Sequence, residues 1–265
     1  GVRDVPRNKF GKTKIVHFVR NPFEMALSNY FYHSQEPSPE LWVHVDDPCV
    51  INYPDGKSLS SLVFPALSDR TKITLQQLDD VVDMCESLYQ SKASVSNATF
   101  YEHLLKLNRH DGLRLATAQM LISSSAANGH MAGGDILRMA NNLIKFENLR
   151  LSPWIPRGKR GRLRLLTMSM DDYIVNNTNV TMRYLDFVLG RDDIAVPREL
   201  RLREAEKGVN PKGSGPNSHV TQGKHRNREK YKRSLRKDSV LGPILIEVEI
   251  LVEEALRRSE ELGYR

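Results

Sequence analysis

The chain has 265 residues, 40% hydrophobic and 27% charged, a globular balance that excludes a disordered or low-complexity polymer. It contains no run of about 18 apolar residues, the length that crosses a bilayer, and no secretory leader pattern. A formal charge of +7 favours anionic partners: a nucleotide, an acidic glycan, nucleic acid or a membrane surface. The sequence begins with Gly1 rather than Met, and the expectation is that the native start lies further upstream.

In chain order, residues 1–13 form a polar, basic lead-in. Gly11-Lys12-Thr13 is not a phosphate-binding loop, because Pro6 stands where a glycine is required and the triplet precedes a strand instead of following one. Ile15, Val16, Phe18 and Val19 predict a strand ending at Arg20; Asn21-Pro22 turns the chain, and Phe23 to Tyr32 has helical spacing. Pro22 suits a first helical position, where its missing N–H has no partner to lose. An apolar strand that feeds a cation and then a helix places the cation where a parallel strand ends, the edge at which α/β proteins bind ligands. The helix N-terminus there favours anions. Arg20 is therefore expected to face something negative, a phosphate first of all. The competing reading pairs Arg20 with a surface carboxylate.

Residues 34–71 predict a long irregular segment, with Trp42 and Tyr53 as anchors or acceptor-lining residues. A helix over 74–90 is marked by the capping pair Thr74 and Gln77, with Leu75, Leu78, Val82, Cys85 and Tyr89 on its buried face. Further helices are expected over 97–108, 113–126 and from Asp135 to about Phe146, with Met84, Met120 and Met139 as core filling. Residues 157–164 carry five cations in a solvated loop or an acidic-glycan contact; Leu163 to Met168 predicts a second buried strand, and a helix follows from Thr178 or Asn179 to Leu189. Residues 191–218 read as a loop, residues 224–237 as a helix with eight cations, and residues 240–262 as an amphipathic packing helix with Leu241, Ile244, Val248, Leu251 and Leu256 in its stripe. His17 in the first strand is expected to be buried and neutral, and His33 to be a core residue or an acceptor-facing one. Cys49 and Cys85 show no metal-ligand spacing and fit one disulfide or two buried thiols equally. Sequons at Asn97, Asn176 and Asn179 lean towards a secretory lumen.

Arg20-Asn21-Pro22 with Ser28 eight residues after the Arg resembles the 3′-phosphate-binding segment of sulfotransferases that use 3′-phosphoadenosine 5′-phosphosulfate (PAPS). Met170-Asp171-Asp172-Tyr173 followed by Phe187-Val188-Leu189-Gly190 is similar to that family's Tyr-Glu-Asp-Leu and Phe-Leu-Gly positions, with Met170 in place of the aromatic residue near the adenine. Lys212-Gly213 and then His219-Val220-Thr221 resemble a reduced form of its late Arg-Lys-Gly loop, without the Arg. The resemblance is scattered over about residues 14–235. It implies an α/β, P-loop-like three-layer fold with a central parallel sheet flanked by helices, incomplete at the N-terminus. Residues 1–239 would form that domain and 240–265 a helix packed on it.

It further implies that Arg20, Ser28, Lys212, the Gly213 amide and Lys224 hold the 3′-phosphate of PAPS or of adenosine 3′,5′-bisphosphate. The family's catalytic base and leaving-group Lys lie upstream of its Arg-Asn-Pro segment, so both are expected before Gly1, and no catalytic residue is assigned here. The expected activity is sulfuryl transfer to a hydroxyl, of a carbohydrate by preference. No metal is expected, nucleic acid is disfavoured as a partner, and membrane attachment is expected only through an N-terminal anchor. The implied compartment is the Golgi lumen, with the cytoplasm as alternative. The alternative function is a non-catalytic basic module for RNA or acidic glycans. A kinase lacks its glycine-rich phosphate loop and metal carboxylate.

Overall fold

A computed structural model of the chain describes residues 14–35, 67–90, 99–122, 134–151, 164–189, 203 and 227–261. These residues fall into two compact units. The first is drawn from 1–20, 142–213 and 252–265, the second from 21–141 and 214–251. Strand β1 (Lys14–Val19), strand β2 (Arg164–Ser169), helices α6 (Met170–Val175) and α7 (Asn177–Leu189) belong to the first. Helices α1 (Pro22–His33), α2 (Leu75–Gln90), α3 (Phe100–Lys106), α4 (Arg109–Ile122) and α8 (Arg228–Lys237) belong to the second. Helices α5 (Asp135–Leu151) and α9 (Leu241–Glu261) contribute residues to both. In the coarse sense the fold is α/β: among the described residues it is helical apart from one parallel strand pair.

In the first unit, β1 and β2 pair in parallel, from Lys14 opposite Arg164 to Val19 opposite Ser169. Parallel strands need a long crossover, and here 144 intervening residues supply it (Arg20 to Leu163). Every residue of β2 after Arg164 is buried, the pattern of a parallel strand covered on both faces. Leu166 and Met168 pack with Val180 and Phe187 of α7, joined by Val16 and Tyr173. The like charges of Lys14 and Arg164 begin the two strands side by side, and the Lys14 ammonium turns to the Val188 carbonyl at 2.7 Å. Ser259 on α9 is buried and its hydroxyl accepts the Thr167 amide at 3.1 Å. A helix side chain thus satisfies a buried strand N–H that would otherwise cost the full desolvation of an amide. The Glu147 carboxylate, also buried, takes Arg258, which reaches Glu254 one turn back on α9 as well.

The second unit is helical among its described residues. The Asn21 side chain caps α1, accepting from the Phe23 and Glu24 amides at 3.0 and 3.3 Å, with Pro22 in the first turn. Phe23, Ala26, Leu27 and Tyr30 form its buried face. Helix α1 packs on α4, and Asn29 reaches the Ala116 carbonyl at 2.9 Å and Gln119 at 3.1 Å. Helix α2 starts with the predicted reciprocal cap of Thr74 and Gln77, at 2.8 and 3.2 Å. Its stripe differs from the expected one: Leu75 is exposed in the first turn, and Leu78, Val81, Met84 and Cys85 are buried. Val82 and Tyr89 of the expected face are half-buried, so helical spacing alone overextends that face. Cys85 is disulfide-bonded, and the chain's other cysteine, Cys49, lies outside the described residues. Asp238 links two elements: it caps α9 through the Val240 and Leu241 amides and accepts Arg114 at 2.8 Å. Gly134 lies so close to α4 that a Cβ there would stand 2.2 Å from the Met120 carbonyl oxygen.

Met84, Met120 and Met139 are buried as expected of core filling. In α9, Leu241, Ile244, Val248 and Leu251 are buried and Leu256 is half-buried. The segments around Trp42, Tyr53, residues 157–163 and 191–202 lie outside the described residues, as do Gly11-Lys12-Thr13.

Two substitutions test this packing. Ser259→Ala leaves the Thr167 amide buried without an acceptor and is expected to cost about 1–3 kcal/mol in chemical denaturation. Gly134→Ala forces α4 and the start of α5 apart and is expected to lower the thermal midpoint further than an alanine at exposed Glu86.

Candidate functional site

The site is set by the strand register. Val19 and Ser169 are the last paired residues, so Arg20 and Met170 leave the sheet together at its carboxyl edge. The Ser169 hydroxyl accepts the Asp172 amide at 3.0 Å, which turns the chain at once into α6. That short helix was not anticipated: Met170-Asp171-Asp172-Tyr173 has no helical apolar periodicity, and the signal that finds it is the serine cap followed by two acids in the first turn. The cap places Asp171 beside the exit of β1. Arg20 Nε donates to Asp171 Oδ1 at 3.0 Å, with the two side chains 24% and 31% exposed.

Of the two readings the sequence left for Arg20, the carboxylate partner is therefore present in this structure. Asp171 is the site residue that sequence reasoning missed. The clue available was that a cation, Arg20, closes the first apolar run and an acid, Asp171, follows the second, and it becomes decisive only once the strands are known to be parallel neighbours. A half-exposed pair of this kind is worth about 1 kcal/mol or less, because water competes for both charges.

His17 lies three residues before Arg20 on β1. Its ring packs edge-on to Phe146 at 5.1 Å, and its Nδ1 is buried with no hydrogen-bond partner. The residue as a whole is half-buried, less than its strand position suggested, yet desolvation pushes its pKa down to about 4, so the ring is neutral at physiological pH. His33 is buried among Tyr32 and Phe100 and is a core residue.

In the second unit, Ser28 is half-buried on α1, one turn beyond Glu24. Glu24 receives Arg228 and Lys232 of α8. Burial alone would raise the Glu24 pKa, but the two cations outweigh it and hold the carboxyl below its ordinary range. Burial likewise opposes the charge on Lys232, and Glu24 with Glu229 overcomes that and raises its pKa. Arg236 grips both oxygens of Glu249 at 2.6 Å and lies 4.4 Å over the Phe23 ring; Asn21 Nδ2 meets the same Glu249 at 2.7 Å. Helix α8 thus sorts its cations. Arg228, Lys232 and Arg236 hold carboxylates, whereas Lys230, Arg233 and Lys237 are exposed on one face at i, i+3 and i+7 with no carboxylate partner among the described residues. Lys212, Gly213 and Lys224 lie outside the described residues. Among the described residues no three His, Cys, Asp or Glu side chains are grouped to hold a metal, and no helix is long and apolar enough to cross a membrane.

No family model, curated protein or solved structure matches the chain.

The neutral His17 generates a pH prediction. Above the unfolded value near 6.5 neither state carries the proton, and stability is complete. As pH falls from 6.5 towards 4 the unfolded chain takes up a proton that the folded one refuses, and roughly 3 kcal/mol at most is lost. Denaturant midpoints measured across that window should fall for the wild type and stay flatter for His17→Phe; equal slopes would show that the imidazole is not the group responsible.

Proposed function

We propose that the chain binds nucleotide for a PAPS-dependent sulfotransferase acting on a hydroxyl, of a carbohydrate by preference. The observation that supports this reading is the position of Arg20: a half-exposed guanidinium at the carboxyl edge of two in-register parallel strands, on an exchangeable carboxylate. In this reading the 3′-phosphate displaces Asp171 from Arg20. The sulfotransferase resemblance implies Ser28, Lys212, the Gly213 amide and Lys224 as further ligands of that anion. The acceptor oxygen attacks sulfur as the bond from sulfur to the bridging phosphate oxygen breaks. The hydroxyl proton passes to a base, and adenosine 3′,5′-bisphosphate leaves with the released charge. The residues assigned here bind and orient, and none is assigned the role of base.

The reading carries with it a P-loop-like three-layer architecture around the β1–β2 pair and a place in the Golgi lumen. The disulfide at Cys85 supports an oxidising compartment, as do the three sequons. The outward cations Lys230, Arg233 and Lys237 favour a second reading, a module that binds acidic glycans. Tyr231, the aromatic residue among them, packs on Phe31 at 5.6 Å, which argues against base stacking and hence against RNA.

Titration with adenosine 3′,5′-bisphosphate and with 5′-AMP separates the two. The sulfotransferase reading predicts a preference for the bisphosphate of at least about tenfold, or about 1.4 kcal/mol, abolished in Arg20→Ala. Equal affinities, with binding that falls steeply with salt and follows α8 charge reversals instead, would support the glycan module and contradict nucleotide-specific binding.

A further inference from the structure

The consecutive sequons Asn176-Asn177-Thr178 and Asn179-Val180-Thr181 are distinguished by their surroundings. Asn176 is the break between α6 and α7, with φ −143° and ψ 66°, and is exposed. Its Oδ1 accepts the Asn179 amide at 3.4 Å, and among the described residues no hydrogen bond occupies its Nδ2. Asn179 is inside α7, and the middle residue of its sequon, Val180, is 5% exposed in the core cluster with Leu166, Met168 and Phe187. A glycan on Asn176 extends from an irregular turn, whereas one on Asn179 rises from the first turn of a packed helix.

A second, independent feature points to the same turn. Met170 and Ile174 lie one turn apart on α6 and are 40% and 50% exposed, and Val175, next to the acceptor, is 87% exposed. Large apolar side chains gathered at a surface are a liability for a free-standing protein unless something covers them. The inner sugars of an N-linked glycan are bulky and solubilising, and they extend over the residues that flank their asparagine.

We propose that Asn176 carries an N-linked glycan and that this glycan covers Ile174 and Val175. In the transfer, Nδ2 attacks the anomeric carbon of a lipid-pyrophosphate-linked oligosaccharide. A carbon–nitrogen bond forms, the carbon–oxygen bond to the pyrophosphate breaks, the lipid pyrophosphate leaves, and Nδ2 gives one proton to a base of the transferase. Attachment at Asn176 places the glycan at one end of α7 and excludes a second on Asn179 three residues away.

The test is peptide mass spectrometry on protein isolated from the cells that make it. The amidase that releases N-glycans is used in water enriched in heavy oxygen, which converts a glycosylated asparagine to a labelled aspartate. Label at position 176 is expected. An unlabelled 176, or label at 179 in its place, overturns the proposal. In a eukaryotic host that secretes the chain, Asn176→Gln and Thr178→Ala should each lose one glycan's mass and Asn179→Gln should not. Glycan-free protein should self-associate more than the native form, and Ile174→Ser with Val175→Ser should remove that difference. Equal association of the glycosylated and stripped forms would overturn the covering role.

Discussion

The in-register parallel pairing of β1 with β2 is the constraint on which the candidate site depends. Six residues of each strand run side by side and end together at Val19 and Ser169. Because the strands are parallel, both chains leave at the same edge, and their next residues are brought into contact: a guanidinium after β1, a serine-capped turn with two acids after β2. A one-residue slip would turn the side chains of β1 to the opposite face. It would also withdraw Val16 from the cluster of Leu166, Met168, Val180 and Phe187 and move Arg20 along the edge.

Much of this was legible in the sequence. Both strands, the turn at Asn21-Pro22 and the reciprocal cap at Thr74 and Gln77 are local devices, set by residue type and spacing within a few positions. The neutral state of His17 follows from its place in an apolar run, although the residue is half-buried and only its Nδ1 is fully enclosed. What spacing could not supply was long-range: that the two strands are neighbours, that Ser259 closes a strand amide 92 positions away, and that Asp171 is the partner of Arg20 across 151. These contacts depend on how the chain returns to itself. Leu75 shows the converse error, since helical periodicity assigns it to the buried face and it stands exposed.

The second unit shows how a strongly basic helix is accommodated. On α8 three cations are committed to Glu24 and Glu249, and the aromatic Tyr231 and the aliphatic Leu235 are turned inward. Glu249 in turn fixes Asn21, the residue that caps α1, so a carboxylate on α9 positions the start of the helix that bears Ser28. The charge run that looks uniform in sequence is therefore divided between internal clamps and an outward face. Removing Glu249 would leave Arg236 without its carboxylate and loosen the Asn21 cap together.

In the proposed function Arg20 is the ligand of the 3′-phosphate of a bound nucleotide. A crystal structure of the protein with adenosine 3′,5′-bisphosphate bound tests it most directly. The expected result is phosphate oxygens within hydrogen-bond distance of the Arg20 guanidinium, with Asp171 displaced from it. A bisphosphate bound elsewhere while Arg20 remains on Asp171 would contradict it.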